Sequence, residues 1–189
     1  MALLHAATLV PPKLELVGAW ARTRPWFQGD KDAMLTSVAN YRFDDPAGEV
    51  GVEILLARAG DGPVLQIPVT YRDAPLPGGD AFFIGNTEHS VLGTRWVYDG
   101  PGDPVFVATA TAAIVEGGHE AEMWIEVDGA MTKREPTATV VGSGVPASGD
   151  LEIVRIPGAV ETEDGYATLI GQWVGHPEPT VLARIRVRS

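Results

Sequence analysis

Turn-forming residues recur about every ten positions along the chain, and this spacing constrains the fold more than any other sequence feature. The runs between them are β-branched or alternate between apolar and polar residues, which is typical of strands. Residues 50–58 and 63–72 are predicted to form a β-hairpin with Asp61-Gly62 at its corner. Residues 81–89 and 91–99 predict a second hairpin. Further strands are predicted at 5–10, 33–43, 121–128, 137–142, 151–156, 166–174 and 180–188.

Two strand features carry positional information. Pro68 lies inside the second strand of the first hairpin, which indicates an edge position or a bulge because proline cannot donate a ladder hydrogen bond. Near the C-terminus, Arg184, Arg186 and Arg188 alternate, so they would share one face of a strand. We interpret that face as the solvated side of an edge strand.

Residues 13–21 are ambiguous between a helix and a strand. Leu14, Val17 and Trp20 form an apolar stripe at helical spacing, whereas Leu14 and Leu16 fit the alternation of a strand. We favour a short helix.

A second helix is predicted within residues 102–118. Asp103 is suited to cap it, Pro104 to occupy its first turn and Gly117 to end it. Its buried face would carry Phe106, Ala110, Ala113 and Ile114. Together these elements predict an α+β fold, in which one or two helices pack on a curved, mostly antiparallel β-sheet.

The composition limits the classes of partner. The formal net charge is −11, so we expect neither nucleic acid nor an anionic membrane as a partner. The chain has no cysteine, which excludes disulfides and thiolate metal sites. The first residues do not resemble a signal peptide, so we expect a cytoplasmic protein. We also expect no cofactor and no bound metal.

Three sequence elements, in order, resemble a known family. They are RPWFQGDK at 24–31, LQIPVTYR at 65–72 and VYDGPGDPVF at 97–106. They are similar to the Arg-Trp-aromatic turn, the Gln-x-Pro strand and the Tyr-Asp…Asp-Pro-x-Phe helix start of the maltokinase N-terminal cap region. The resemblance implies a cystatin-like cap with additional β-hairpins. It places the cap-like region at 1–118, with a β-rich extension at 119–189 packed against it as one unit.

The resemblance does not extend to the kinase machinery. Maltokinases need a catalytic loop of the His-Gly-Asp type and a later acidic metal ligand. None of the histidines here precedes Gly-Asp, and we expect no C-terminal kinase lobe. We therefore expect a non-catalytic module that binds a protein of trehalose, maltose or glycogen metabolism, or itself. One alternative is a protein that binds a sugar or an apolar metabolite, and another is an unrecognised enzyme that uses His89 or His119 with nearby carboxylates.

Five residues are the candidate binding residues: Trp26, Phe27, Lys31, Trp96 and Tyr98. Trp26 and Phe27 lie in a polar turn where an aromatic ring can be exposed for contact. Lys31 follows Gly-Asp, which displaces it by one residue from the lysine of the family's turn. We interpret it as a corner residue or a surface contact rather than a phosphate ligand.

The remaining motifs favour structural roles. The glycine-rich loop within 142–149 stands between two predicted strands, as in a nucleotide flap, but it lacks a phosphate-binding lysine. We interpret it as a hairpin loop. On a strand, Glu120 and Glu122 would face away from His119, which disfavours a metal site there. Glu88, His89 and Ser90 are consecutive, so their side chains cannot converge as a catalytic relay.

Overall fold

The computed structural model describes residues 2–4, 8–127 and 130–187. Its helices are α1 (Lys13–Ala21) and α2 (Pro104–Glu116). Its strands are β1 (Ala2–Leu4), β2 (Leu9–Val10), β3 (Leu35–Phe43), β4 (Gly51–Ala59), β5 (Val64–Arg72), β6 (Phe83–His89), β7 (Gly93–Asp99), β8 (Met123–Val127), β9 (Ala130–Arg134), β10 (Ala138–Gly142), β11 (Leu151–Ile153), β12 (Tyr166–Trp173) and β13 (His176–Arg186). Among these described residues, no helix is long and apolar enough to cross a membrane.

The strands form three sheets. The central sheet has the order β2-β6-β7-β5-β4-β3 and is antiparallel throughout. A second antiparallel sheet has the order β10-β12-β13-β11, and a small third sheet joins β1, β8 and β9, with β1 parallel to β8. The strongly curled sheet and the two helices confirm the predicted α+β class.

Most of the predicted elements are present. The ambiguous segment 13–21 is a helix, and both predicted hairpins form, as β4–β5 and β6–β7. The sequence pattern missed β1 and β9. Of the strand predicted at 5–10, residues 5–7 lie outside the described residues, and Leu9–Val10 forms β2.

One positional prediction is wrong. The arginine-bearing strand β13 is not at an edge, because it lies between β12 and β11. Arg184 consequently packs over the ring of Tyr166, 4.4 Å from its centre, and bonds Glu152 at 2.8 Å. Arg188 lies outside the described residues.

Pro68 marks a fork in the central sheet. It immediately precedes Val69, the first residue of β5 that pairs with β7. Two residues earlier, the Gln66 N–H donates instead to the carbonyl of Arg155, at 2.8 Å. The missing N–H of Pro68 therefore falls where one neighbouring segment replaces another, so it costs the sheet no ladder bond. The edge position predicted from Pro68 therefore applies only at this residue, because β5 as a whole lies between β4 and β7.

The two faces of the central sheet bury two different cores. Helix α1 covers one face, where the buried apolar residues are Val17, Trp20, Ala21, Leu35, Leu55, Ala57, Ala59, Leu65, Ile67, Val69 and Val97. Helix α2 and the second sheet cover the other, with Phe106 and Ile114 of α2 packed among Ile54, Leu56, Leu169, Leu182 and Ile185. This division follows from the period of two along β4 and β5, which directs alternate residues to opposite faces.

A buried amide joins the central sheet to the second sheet. Gln66 donates from Nε2 to the carbonyls of Val154 at 3.0 Å and Leu182 at 2.7 Å. Its Oε1 accepts from the Tyr41 hydroxyl at 2.9 Å. Burial raises the pKa of Tyr41, so the phenol keeps the proton that this bond needs. The predicted division of the chain at residue 118 stays a prediction.

Candidate functional site

An open apolar groove runs along the outer side of α2. Its volume is about 510 Å³. It is lined by Pro101, Gly102, Pro104, Val107, Ala108, Thr111, Ala112 and Val115. Thr111 is the one lining residue with a polar side chain, so the groove offers contact area and few hydrogen bonds.

The local sequence of α2 explains why this face is smooth. The inward side holds the large residues Phe106 and Ile114, which are buried in the core. The outward side carries small residues, including Ala108 and Ala112. Small outward side chains let another chain approach the helix backbone closely. The buried face of α2 was predicted correctly from the sequence, whereas no role was predicted for its outward face.

An aromatic side chain lies against one end of the groove, and the elements at and next to the groove carry two exposed carboxylates. Phe82, in the short 3₁₀ turn Asp80–Phe82, is 37% exposed and packs against Gly102 so closely that a Cβ there would overlap its ring. Asp80 and Glu116 are exposed. The 3₁₀ turns Asp80–Phe82 and Gly100–Gly102 and helix α2 contain no lysine or arginine. The charged side chains of these three elements, Asp80 and Glu116, are therefore both carboxylates.

A buried carboxylate fixes the start of α2. Asp103 accepts from the Val105 N–H at 2.9 Å, which is an N-cap bond, and from Thr70 Oγ1 at 2.7 Å. Arg72 binds the same carboxylate through two nitrogens, each at 2.7 Å. Burial would raise the pKa of Asp103, but the hydrogen bonds from Arg72, Thr70 and Val105 outweigh it and hold the pKa below its usual range.

A second buried carboxylate, Asp99, is much less satisfied. Arg155 binds it through one contact, Nη2 to Oδ2 at 2.6 Å. Asp99 Oδ1 and Arg155 Nη1 are both buried without a hydrogen-bond partner among the described residues. Burial raises the pKa of Asp99, and the nearby Arg155 offsets this only in part.

A third buried carboxylate lies on the α1 side of the central sheet. Glu53 accepts from Lys13 Nζ at 2.7 and 2.8 Å, from Asn40 Nδ2 at 2.8 Å and from the Tyr71 hydroxyl at 3.2 Å. Burial would raise the pKa of Glu53, but Lys13 outweighs this and lowers it. Burial and the adjacent Glu53 charge raise the pKa of Tyr71, so its hydroxyl stays protonated.

No group of three or more histidine, aspartate or glutamate side chains is arranged to hold a metal ion in the described part of the chain. His119 Nδ1 instead lies 3.3 Å from the Val140 carbonyl, and Glu120 accepts from the Val140 N–H at 2.8 Å. Both side chains therefore attach the end of α2 to β10.

The fold up to the start of α2 has a counterpart in a known family. Residues 20–103 match the family model of the maltokinase N-terminal cap domain. The chain contains a maltokinase N-terminal cap-like domain. The resemblance predicted from the three sequence elements is thereby confirmed. The match covers somewhat less than half of the chain, and no curated protein matches it.

The cap-like domain places Trp26 and Phe27 at the border of the α1 core, both half-buried. The ring of Trp26 lies 5.9 Å from that of Trp20. The Arg155 guanidinium covers Trp26 at 4.6 Å from its ring centre. Lys31 is exposed, and its side chain makes no hydrogen bond or ion pair with the residues that the structure describes.

The structure places Trp96 and Tyr98 on the other face of β7. Val97 between them faces the α1 core, so both aromatics point to the opposite side. Tyr98 is buried, its hydroxyl accepts from the Leu76 N–H at 2.9 Å and its ring packs on Phe83 at 5.3 Å. The five candidate residues therefore do not converge on one site, and none of them lines the groove.

The glycine-rich loop is committed to internal contacts. The N–H of Gly142 donates to Gly118, that of Ser143 to Thr168 and that of Gly144 to Ile114, at 2.8–3.0 Å. Gly144 adopts a positive φ of 66°, which glycine permits. Because these N–H groups already have acceptors, they cannot cradle a phosphate in this conformation. The interpretation as a hairpin loop is wrong, because the loop connects β10 and β11, which lie at opposite edges of the second sheet and do not pair with each other.

Proposed function

We propose that this chain is a protein-binding module of maltose, trehalose or glycogen metabolism, and that it docks its partner along the outer groove of α2. The open apolar groove carries the proposal. The link to sugar metabolism is supported by the match to a maltokinase domain. That domain is a non-catalytic one, so we assign the chain a binding role. We place its partner in the cytoplasm.

The form of the groove favours a protein over a small molecule. Small-molecule sites enclose most of the ligand surface and orient it with a few placed polar groups. Here the groove is open to solvent, and Thr111 alone contributes a polar side chain to the lining. A helix or loop of another protein fits such a surface better, because it brings its own hydrogen-bonded backbone.

The charges around the groove indicate the partner's chemistry. Asp80 lies in the 3₁₀ turn that packs against Gly102 and Glu116 is the last residue of α2, and the two 3₁₀ turns and α2 contain no lysine or arginine. We infer an amphipathic segment with an apolar stripe flanked by lysine or arginine. In a second copy packed with α2 antiparallel to this one, Glu116 would meet Asp80, so these two charges disfavour self-association.

A pull-down with a matched pair of variants tests the proposal. Ala108→Arg places a bulky cation in the groove, and Val174→Arg adds the same charge at an exposed turn between β12 and β13. Tagged wild type and both variants are incubated with lysate of the source cells, and recovered proteins and metabolites are identified by mass spectrometry. We expect a sugar-metabolism protein whose recovery falls at least tenfold with Ala108→Arg and stays unchanged with Val174→Arg.

Three other outcomes would reject the proposal. Equal recovery with both variants would show that the partner does not use the groove. Recovery of a metabolite without a protein would establish the small-ligand alternative. Recovery of the chain with itself alone, as a dimer that Ala108→Arg dissociates, would make the groove a self-association surface.

A further inference from the structure

We propose that Arg42, Lys13 and Tyr71 form a binding site for a small oxyanion, a phosphate or carboxylate group, on the α1 side of the central sheet. This site is independent of the α2 groove, which belongs to the other face. The register places Arg42 opposite Glu53, and Gly51 opposite Tyr71, so these residues share one face of the sheet.

Glu53 holds two of the three groups in place. Its two oxygens accept both contacts from Lys13 and one each from Asn40 and Tyr71. With four bonds its carboxylate is saturated and accepts nothing from Arg42. Lys13 keeps 31% of its side chain exposed, so its ammonium group can still reach a ligand from solvent.

Arg42 is the cation that lacks a partner. Its Nε is buried without an acceptor among the described residues. The Nε atoms of Arg22 and Arg95 are also unpartnered, but each of those side chains donates from Nη2 to a backbone carbonyl, at 2.7 Å. For Arg42, no hydrogen bond from any guanidinium nitrogen is found in the described part of the chain. A buried unsatisfied donor is destabilising and calls for an unseen ion or water.

The surrounding charge and shape suit an anion. Two cations stand beside one carboxylate, which leaves a local positive excess in a chain of net charge −11. Gly51 lies beside them, and a Cβ there would stand 3.6 Å from Arg42 Nη2 and 3.5 Å from Tyr71 Cβ, so the glycine leaves the approach to the guanidinium unobstructed by a side chain of its own. The planar guanidinium matches the two oxygens of a carboxylate or phosphate group.

The test titrates the full chain with inorganic phosphate and, separately, with sodium acetate, at constant ionic strength set by chloride. Two-dimensional ¹H–¹⁵N NMR follows the Nε–H signal of Arg42. We expect saturable movement of this signal with phosphate, acetate or both. The anion that binds more tightly identifies the chemical group.

Variants show whether the anion binds at Arg42. We expect Arg42→Gln to weaken binding at least tenfold, measured on neighbouring backbone signals, and Arg58→Gln, which removes an exposed cation of β4, to leave it unchanged. Gly51→Ala keeps every charge and meets only ordinary contacts, and it should still weaken binding because its methyl group would stand 3.6 Å from Arg42 Nη2, where the anion approaches. If Arg42→Gln does not fold, Gly51→Ala and Arg42→Lys supply the comparison.

Two results would overturn this site. One is a wild-type signal that moves no more with phosphate or acetate than with chloride. The other is equal weakening by Arg42→Gln and Arg58→Gln, which would reduce the effect to general charge attraction.

Discussion

Asp99 and Asp103 flank the same short turn, Gly100–Gly102, and both are buried, yet their pKa values move in opposite directions. Both side chains are nearly inaccessible to solvent, with 0% of Asp103 and 8% of Asp99 exposed, yet only Asp103 has a lowered pKa. Burial alone would raise both.

The difference lies in the number of donors that each carboxylate receives. Asp103 accepts four hydrogen bonds, which come from two neighbouring side chains and the first turn of α2. Among the described residues Asp99 accepts one, from Arg155, which follows β11. Several hydrogen-bond donors compensate the desolvation cost of a buried carboxylate, whereas a single donor compensates only part of it. The interactions of Asp103 therefore fix the start of α2 firmly. The single contact between Asp99 and Arg155 is weaker than the set of hydrogen bonds to Asp103.

Removing the carboxylate of Asp103 should lower the free energy of unfolding more than any other change considered below. Asp103→Ala deletes the cap of α2 and leaves Arg72 without its carboxylate, so we expect the free energy of unfolding to fall by about 3–5 kcal/mol. Urea denaturation measures it. Asp80→Ala, on an exposed carboxylate of the nearby turn, is the control and should change stability by less than about 0.5 kcal/mol. A loss below about 1 kcal/mol for Asp103→Ala would contradict the assigned role.

Breaking the weaker contact should have an intermediate effect. Arg155→Met keeps an apolar stem beside Trp26 but leaves Asp99 without its cation. We expect a loss of about 2 kcal/mol at neutral pH, less than for Asp103→Ala, because an isolated buried carboxyl can take up a proton instead. Tryptophan fluorescence should also change as the guanidinium leaves the Trp26 ring. Arg58→Met, on an exposed arginine, should leave both stability and fluorescence unchanged.

The pH dependence of stability should differ between Asp99 and Asp103, and we expect this difference to be smaller than the loss caused by Arg155→Met. The folded-state pKa of Asp99 is raised, so wild type should gain stability relative to Asp99→Asn as the pH falls from 7 through that pKa. The folded-state pKa of Asp103 is lowered, so wild type should keep its advantage over Asp103→Asn until about pH 4 and lose it below. Chemical denaturation from pH 7 to pH 3 measures both differences. If the stability difference from wild type changed with pH in the same way for Asp99→Asn and Asp103→Asn, the proposed difference between the two carboxylates would be wrong.

An exposed ion pair should show the smallest effect. Arg184 and Glu152 are in contact at 2.8 Å, but 53% of the Glu152 side chain is exposed. We expect Glu152→Gln to change the free energy of unfolding by less than about 0.5 kcal/mol, and this difference should shrink at high salt. Glu161→Gln, on another exposed glutamate, is the comparison. A loss approaching that of Arg155→Met would show that burial does not distinguish these pairs.

Predictions that rest on local interactions are confirmed by the structure. The bounds of α2 follow from Asp103, Pro104 and Gly117, because the cap bond, the fixed proline φ and the left-handed glycine each involve a few adjacent residues. The two hairpins follow in the same way from their turns and from the period of two. The family relationship was also visible in three short segments.

The candidate site was harder to predict. Trp26 was expected to be available for contact because it lies in a polar turn, but Arg155, which is far away in the sequence, covers its ring. The groove went unnoticed because small outward residues such as Ala108 look like ordinary helix positions in a sequence. Such a face becomes a site only if no other element covers it.

The sequence by itself determined the α+β class, the two helices, the hairpins and the cap-like domain, since each depends on spacing within a short segment. Only the tertiary structure decided that β13 is an inner strand, that Asp99 and Asp103 differ, that Arg42 lacks a partner and that one side of α2 stays open. These features depend on which distant segments meet. Pairing and coverage between distant segments are set by the packing of the whole chain, which no local pattern encodes.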